Sequence, residues 1–204
     1  MTANTVRQLV ASVATMFAAT STLFAAAAAP ADSGSHAFDL HRSHITVSVS
    51  KRGLFSFAAD NHEIEAPIVA GSFNETKKTV DVTVNAAKME VLDPKLSADR
   101  RASVQANMSG SGVLDTAKYP MIVFHSSRVE LDAKGHGSVP GILTLHGQTH
   151  AIVVDLTRVG AGHFTGSATV RQTAFGITPI RIMGGAVTVK DDVNVVFDIF
   201  LSVK

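Results

Sequence analysis

No cysteine occurs in the 204 residues, which excludes disulfides, thiolate metal sites, a cysteine nucleophile and a lipidated N-terminal cysteine. Tryptophan is also absent and tyrosine occurs once. An excess of one charge is missing too: 18 Lys and Arg face 17 Asp and Glu. Nucleic-acid binding needs a basic patch or stripe, and the nearest candidate, Arg100-Arg101, directly follows Asp99. The motifs of common enzymes are lacking as well. There is no G-x-S-x-G elbow, no HExxH, and Gly184-Gly185 has neither the lysine nor the helix of a phosphate loop. Glu63 with Glu65, and Asp191 with Asp192, read as a strand pair and a turn pair, with nothing to make them share a substrate. The residues give no support for an enzyme.

What is present begins with residues 1–31. Arg7 is their one charge, an apolar run from Leu9 to Ala29 follows, and Ala29-Pro30-Ala31 supplies small residues for cleavage. That order predicts a secretory signal peptide over 1–31. Its removal leaves 17 Lys and Arg against 17 acids, a formally neutral exported chain. Export without disulfides requires the core to hold the fold alone.

From Phe38 onward the dominant period is two. Ile45, Val47 and Val49 alternate with Thr46, Ser48 and Ser50, and Val80, Val82 and Val84 with Thr79, Asp81 and Thr83. Further strands are predicted at 151–156, 166–170, 186–189 and, to close, at Val193, Val195, Phe197, Ile199, Leu201 and Val203. Turns fall at 74–78, 160–162 and 190–192, so roughly eight strands at hairpin spacing imply an antiparallel barrel or sandwich. One segment breaks the period: with Asp93 as N-cap, Pro94 at the first helical position and Gly110 beyond the end, a short helix is predicted around 95–108.

The stretch 119–149 favours the barrel. Met121, Val123, His125, Ser127, Val129 and Leu131 share one face of a predicted strand, and Ile122, Phe124, Ser126, Arg128 and Glu130 the other, with a turn at 134–137 and a return at 139–145. Both faces open apolar, so the strand is expected to have apolar material on each side, as in a barrel around an oily cavity.

Nine histidines raise the question of a metal. His41 with His44, and His146 with His150, have suggestive spacings, but the second pair is predicted at a strand end and turn, where i, i+4 does not bring side chains together. A metal-dependent protein or enzyme acting through histidines on a small periplasmic substrate is the alternative reading. The eleven phenylalanines are more directive, because phenylalanine has no polar handle and a cavity it lines favours hydrocarbon. Packed core is the other use for them, and a strand pattern does not separate the two.

The phrase Tyr119-Pro-x-Ile-x-Phe-x-Ser126, followed by Gly141-x-Leu-Thr-Leu-His-Gly147, resembles the YceI family of lipocalin-like lipid-binding proteins. The likeness starts at Phe38-Asp-Leu-His-Arg-Ser-His44 and ends with Phe175-Gly-Ile177 and Val187-Thr-Val-Lys-Asp-Asp-Val193. It implies a lipid-binding barrel domain over 36–204: all-β, an antiparallel eight-stranded lipocalin-like barrel with one short helix. It also implies a periplasmic location, a polyisoprenoid (quinone or polyprenol type) or other long-chain amphiphile held in an apolar tunnel, no cofactor, and transient contact with a membrane or a b-type cytochrome. Two departures stand out. Gln172-Thr173-Ala174 replaces the family's common Arg-Ser-Asp, which removes an ion pair, and Ala59-Asp60-Asn61-His62 keeps only the last half of the Gly-His-Asn-His of one branch. Asn61 and His62 either meet a polar head at the barrel mouth or cap a turn. The ligand-binding residues expected are Phe55, Phe57, Phe124, Phe175 and Phe197 for the wall and His62 for a polar contact.

Overall fold

The computed structural model describes residues 34–52 and 61–202, which belong to one compact unit, Asp32–Lys204. The segment read as a signal peptide lies outside the described residues, as do Phe55 and Phe57. In chain order the strands are β1 (Ser35–Ala37), β2 (His44–Val49), β3 (Lys51–Arg52), β4 (His62–Glu65), β5 (Ile68–Asn74), β6 (Thr79–Asn85) and β7 (Glu90–Val91). A helix α1 (Ala98–Ser109) precedes β8 (Met121–Ser126), β9 (His136–Leu145), β10 (Gln148–Gly160), β11 (His163–Arg171), β12 (Arg181–Ile182), β13 (Val187–Val189) and β14 (Asp192–Phe200).

The main sheet is antiparallel, in the order β1-β5-β6-β8-β9-β10-β11-β14-β2-β4-β7. It comprises eleven strands where the sequence pattern suggested eight, because long runs are cut where pairing lapses. β4 and β5 are one such run, cut at Ala66-Pro67, where proline has no N–H to donate. The curl closes at Phe38. Its N–H donates to Gly71 O at 2.9 Å, and on its other side it bridges Leu201. Beside it Asp39 N–H donates to Phe200 O at 2.7 Å and Ser202 N–H to Ala37 O at 2.8 Å. A closed sheet leaves no edge along this seam for another chain to extend.

Alternation fixes which side chains face inward. Val47 pairs with Val195 and with Ile64, Val82 with Phe124, and Phe124 with Leu143, so the apolar sets of neighbouring strands share the concave face. The packed core lies at one end of the barrel. There Ile64, Val84, Ala86, Met89, Val91 and Met108 form one cluster, and Leu143, Leu145, Val170, Phe175 and Ile177 another. α1 is fastened over that end by Gln105, whose Oε1 accepts from Val91 N–H (2.9 Å) and whose Nε2 donates to Met89 O (2.8 Å).

Three expectations need correction. The strand from Met121 ends at Ser126 instead of continuing to Leu131, because Ser126 is fully buried with its Oγ accepting from Val80 N–H at 2.7 Å, and the chain then crosses to Lys78 O through Val129 N–H. Its outer face is not covered: Met121 and Val123 are 44% and 40% exposed, beside the equally exposed Ile142. The helix begins at Ala98, after Ser97, and Asp93 does not cap it, its carboxylate being engaged on β4.

Candidate functional site

The concave faces enclose a cavity of about 1600 Å³, above the roughly 300–1,000 Å³ of pockets for drug-sized ligands. Its wall is dominated by Val, Ile, Leu and Phe side chains from β2, β4, β6, β8, β9, β10, β11 and β14. Burying each methylene of a guest there contributes about 0.8 kcal/mol.

Phenylalanines shape the space in a specific way. The rings of Phe38, Phe124 and Phe197 lie where a Cβ on Gly71, Gly141 and Gly166 respectively would stand, so each ring is folded down over a glycine of the neighbouring strand. None of these glycines has a positive φ, and what they supply is room rather than backbone freedom. Aromatic cover of a strand glycine keeps the ring flat against the wall and leaves the lumen open.

The expected site residues divide. Phe124, Phe197 and His62 line the cavity. Phe175 does not: the 3-10 turn Gln172–Phe175 ends on Gly176 at φ 72° and drives the ring, 1% exposed, into the packed cluster with Leu143 and Val170. Two phenylalanines outside the expected set, Phe73 on β5 and Phe164 on β11, line the cavity as well.

His62 is the one histidine lining the cavity among the described residues. It sits opposite Val49 and in phase with Ile64, on the inner face of β4. Its Nδ1 lies 2.5 Å from Asp93 Oδ2, and Asp93 Oδ1 accepts from Glu63 N–H at 2.9 Å. The side chains are 14% and 7% exposed. No local signal announced this pair, because the residues are 31 apart and meet only through the β4–β7 ladder and the Leu92 N–H to Glu63 O bond that follows it.

The cavity is bounded by charge at both ends. Lys51, Asp99, Arg100 and Ser103 line the end beneath α1, and Arg128, Glu130 and Asp132 the opposite rim. Arg128 and Glu130 pair at 2.5 Å but are 68% and 67% exposed. The Asp132 carboxyl is held below its usual range by the His136 N–H first, with the Lys134 and Gly135 N–H groups adding to it.

The remaining histidines disperse. His36, His44, His125 and His163 each meet a different carboxylate, Glu75, Glu65, Asp81 and Asp198, and His146 Nδ1 faces Phe175 O. Among the described residues no three His, Cys, Asp or Glu side chains converge on a point that could hold a metal ion. At Gln172-Thr173-Ala174 neutral donors stand where the resemblance implied charge: Thr173 donates to Asp191 from its N–H (2.8 Å) and hydroxyl (2.6 Å), and Gln172 Nε2 donates to Lys190 O (2.8 Å). Burial pushes the Asp191 carboxyl up, yet the Thr173 hydroxyl and N–H, with Arg171 and Arg52 nearby, leave it lowered on balance.

Comparison with known proteins agrees with this geometry. The family model described as YceI-like domain matches residues 36–201. A UPF0312 protein of Pseudomonas savastanoi pv. phaseolicola is 31% identical over 160 residues, covering 71% of this chain and 72% of its own. One from Shewanella sp. is 27% identical over 158 residues, covering 72% and 78%. Among solved structures, Burkholderia cenocepacia BcnA superposes with a TM-score of 0.60 at 18% identity, covering 81% of this chain and 99% of that one. A polyisoprenoid binding domain from Saccharophagus degradans, implicated in plant cell wall breakdown, gives 0.59 at 13% identity, covering 84% and 99%. These structural likenesses bear on the fold: a mostly β, strongly curled antiparallel sheet with one helix.

Proposed function

From the premise that this chain belongs to the YceI family, we propose that it is a binding protein that holds a polyisoprenoid, of quinone or polyprenol type, or another long-chain amphiphile in its barrel. The observation that carries this reading is the cavity itself, about 1600 Å³ walled by aliphatic and phenylalanine side chains. Its affinity comes from burial rather than covalent chemistry, with Phe124 and Phe197 as wall and His62 as the polar contact. The likeness to a polyisoprenoid binding domain supports the ligand class. The order of basic start, apolar run and small-residue site in residues 1–31 supports export to the periplasm, where the lipid would be exchanged with a membrane or a membrane b-type cytochrome. No helix among the described residues is long and apolar enough to cross a membrane.

Extraction of the purified protein with organic solvent, followed by mass spectrometry, is expected to release a long-chain lipid in near one-to-one amount. A protein that yields none, and after delipidation binds neither a quinone nor a polyprenol, removes the proposal.

A further inference from the structure

Among the described residues of the cavity wall, His62 is inward-facing and largely buried, and its hydrogen-bonding direction is set by its neighbour. Asp93, as a carboxylate, only accepts, so the His62 ring donates to it from Nδ1 and its tautomer is fixed. Asp93 cannot readily turn away, because its other oxygen is held by Glu63 N–H. In the neutral ring this leaves Nε2 as an acceptor. It has no hydrogen-bond partner among the described residues, and His62 belongs to the cavity wall. An acceptor in an apolar lumen selects for a donor. The charged groups at the opposite rim differ in kind, since Arg128 and Glu130 already satisfy each other in solvent.

Resting on the burial reading above, we propose that the His62–Asp93 pair is a head-group site for a hydroxyl: a long-chain alcohol, or the undissociated form of a long-chain acid, donating its O–H to His62 Nε2. Ethers, esters and hydrocarbons of the same length are accommodated by the wall but gain nothing at His62, because they carry no proton to donate. Asp93 acts on the ligand only through the ring, as a positioning residue.

Displacement of an apolar fluorescent dye from the delipidated protein tests this with 1-hexadecanol, hexadecanoic acid, hexadecyl methyl ether and hexadecane. The alcohol is expected to bind about five- to tenfold more tightly than the ether, whether or not the acid equals it, and His62→Leu is expected to abolish that advantage while leaving hexadecane unchanged. Equal binding of alcohol and ether, persistence of the advantage in His62→Leu, or an advantage confined to the acid overturns the hydroxyl site. Binding of none of the four removes the burial reading itself. Should His62→Leu fail to fold, the 15N resonances of the unaltered protein decide: the His62 Nε2 signal is expected to move with hexadecanol and not with hexadecane while Nδ1 stays donor-like, and an unmoved Nε2 overturns the proposal.

Discussion

His62–Asp93 and His125–Asp81 are the same contact in two places. Each puts Nδ1 2.5 Å from a carboxylate oxygen. The first pair is 14% and 7% exposed, at the lumen, and the second is 56% and 58% exposed, across β6 and β8 on the outside of the barrel. Distance therefore says little about what a pair does. On the outside, water and salt screen the attraction and compete for both partners, and such pairs contribute roughly 0–1 kcal/mol. At the lumen both partners are largely shielded from bulk water, so removing one leaves the other poorly satisfied. The buried pair has a fixed orientation as a consequence, and a fixed orientation is what allows a single ring nitrogen to discriminate between ligands.

The comparison breaks most directly at Asp93. Asp93→Ala removes the acceptor of both His62 and Glu63 N–H and is expected to lower stability by about 3 kcal/mol in chemical denaturation. Asp81→Ala, its outer counterpart, would sink the contrast by costing as much.

The wall offers the next largest effect. A Cβ on Gly141 would overlap the far edge of the Phe124 ring and crowd His125 O, so Gly141→Ala is expected to cost about 1–3 kcal/mol and to swing the ring into the lumen. Weaker capture of an apolar dye by a variant that still folds would show that the glycine keeps the cavity open.

A smaller effect is expected at Thr173. The Asp191 carboxyl is lowered in the folded protein, so its contribution is fully present above the unfolded carboxylate value, about 3.9, and is lost as pH falls through the folded one. Thr173→Val takes away the hydroxyl and should flatten the decline of melting temperature on acidification below about pH 4; an unchanged acid slope contradicts this account. Smallest of all, His125→Ala is expected to shift stability by no more than about 0.5 kcal/mol, and less still at high salt, as read by thermal melts at two ionic strengths.

Much of the barrel was legible because a buried strand face writes itself as alternation: Val80, Val82 and Val84, or Val193, Val195 and Phe197, face inward as the period of two requires. The turns at 74–78 and 160–162 were legible for the same reason, at the ends of those runs. Where the reading failed, the competing partner lay far off in sequence. Asp93-Pro94 has the form of a helix start, yet β4 claims the carboxylate. Phe175 looks like any other phenylalanine until the turn at Gly176 directs it into packed core. Met121 and Val123 suggested cover on both faces of β8, but Ile122 and Phe124 alone took the interior.

By itself the sequence determined the β architecture, the alternation along most strands and the family, since these follow from local periodicity and from motifs carried on contiguous residues. Only the tertiary structure decided that the sheet closes at Phe38, that three phenylalanine rings lie down over glycines, and that His62 meets Asp93. Each of these depends on segments brought together by the closed sheet, and no local pattern encodes which distant neighbour a side chain will meet when the ring of strands shuts.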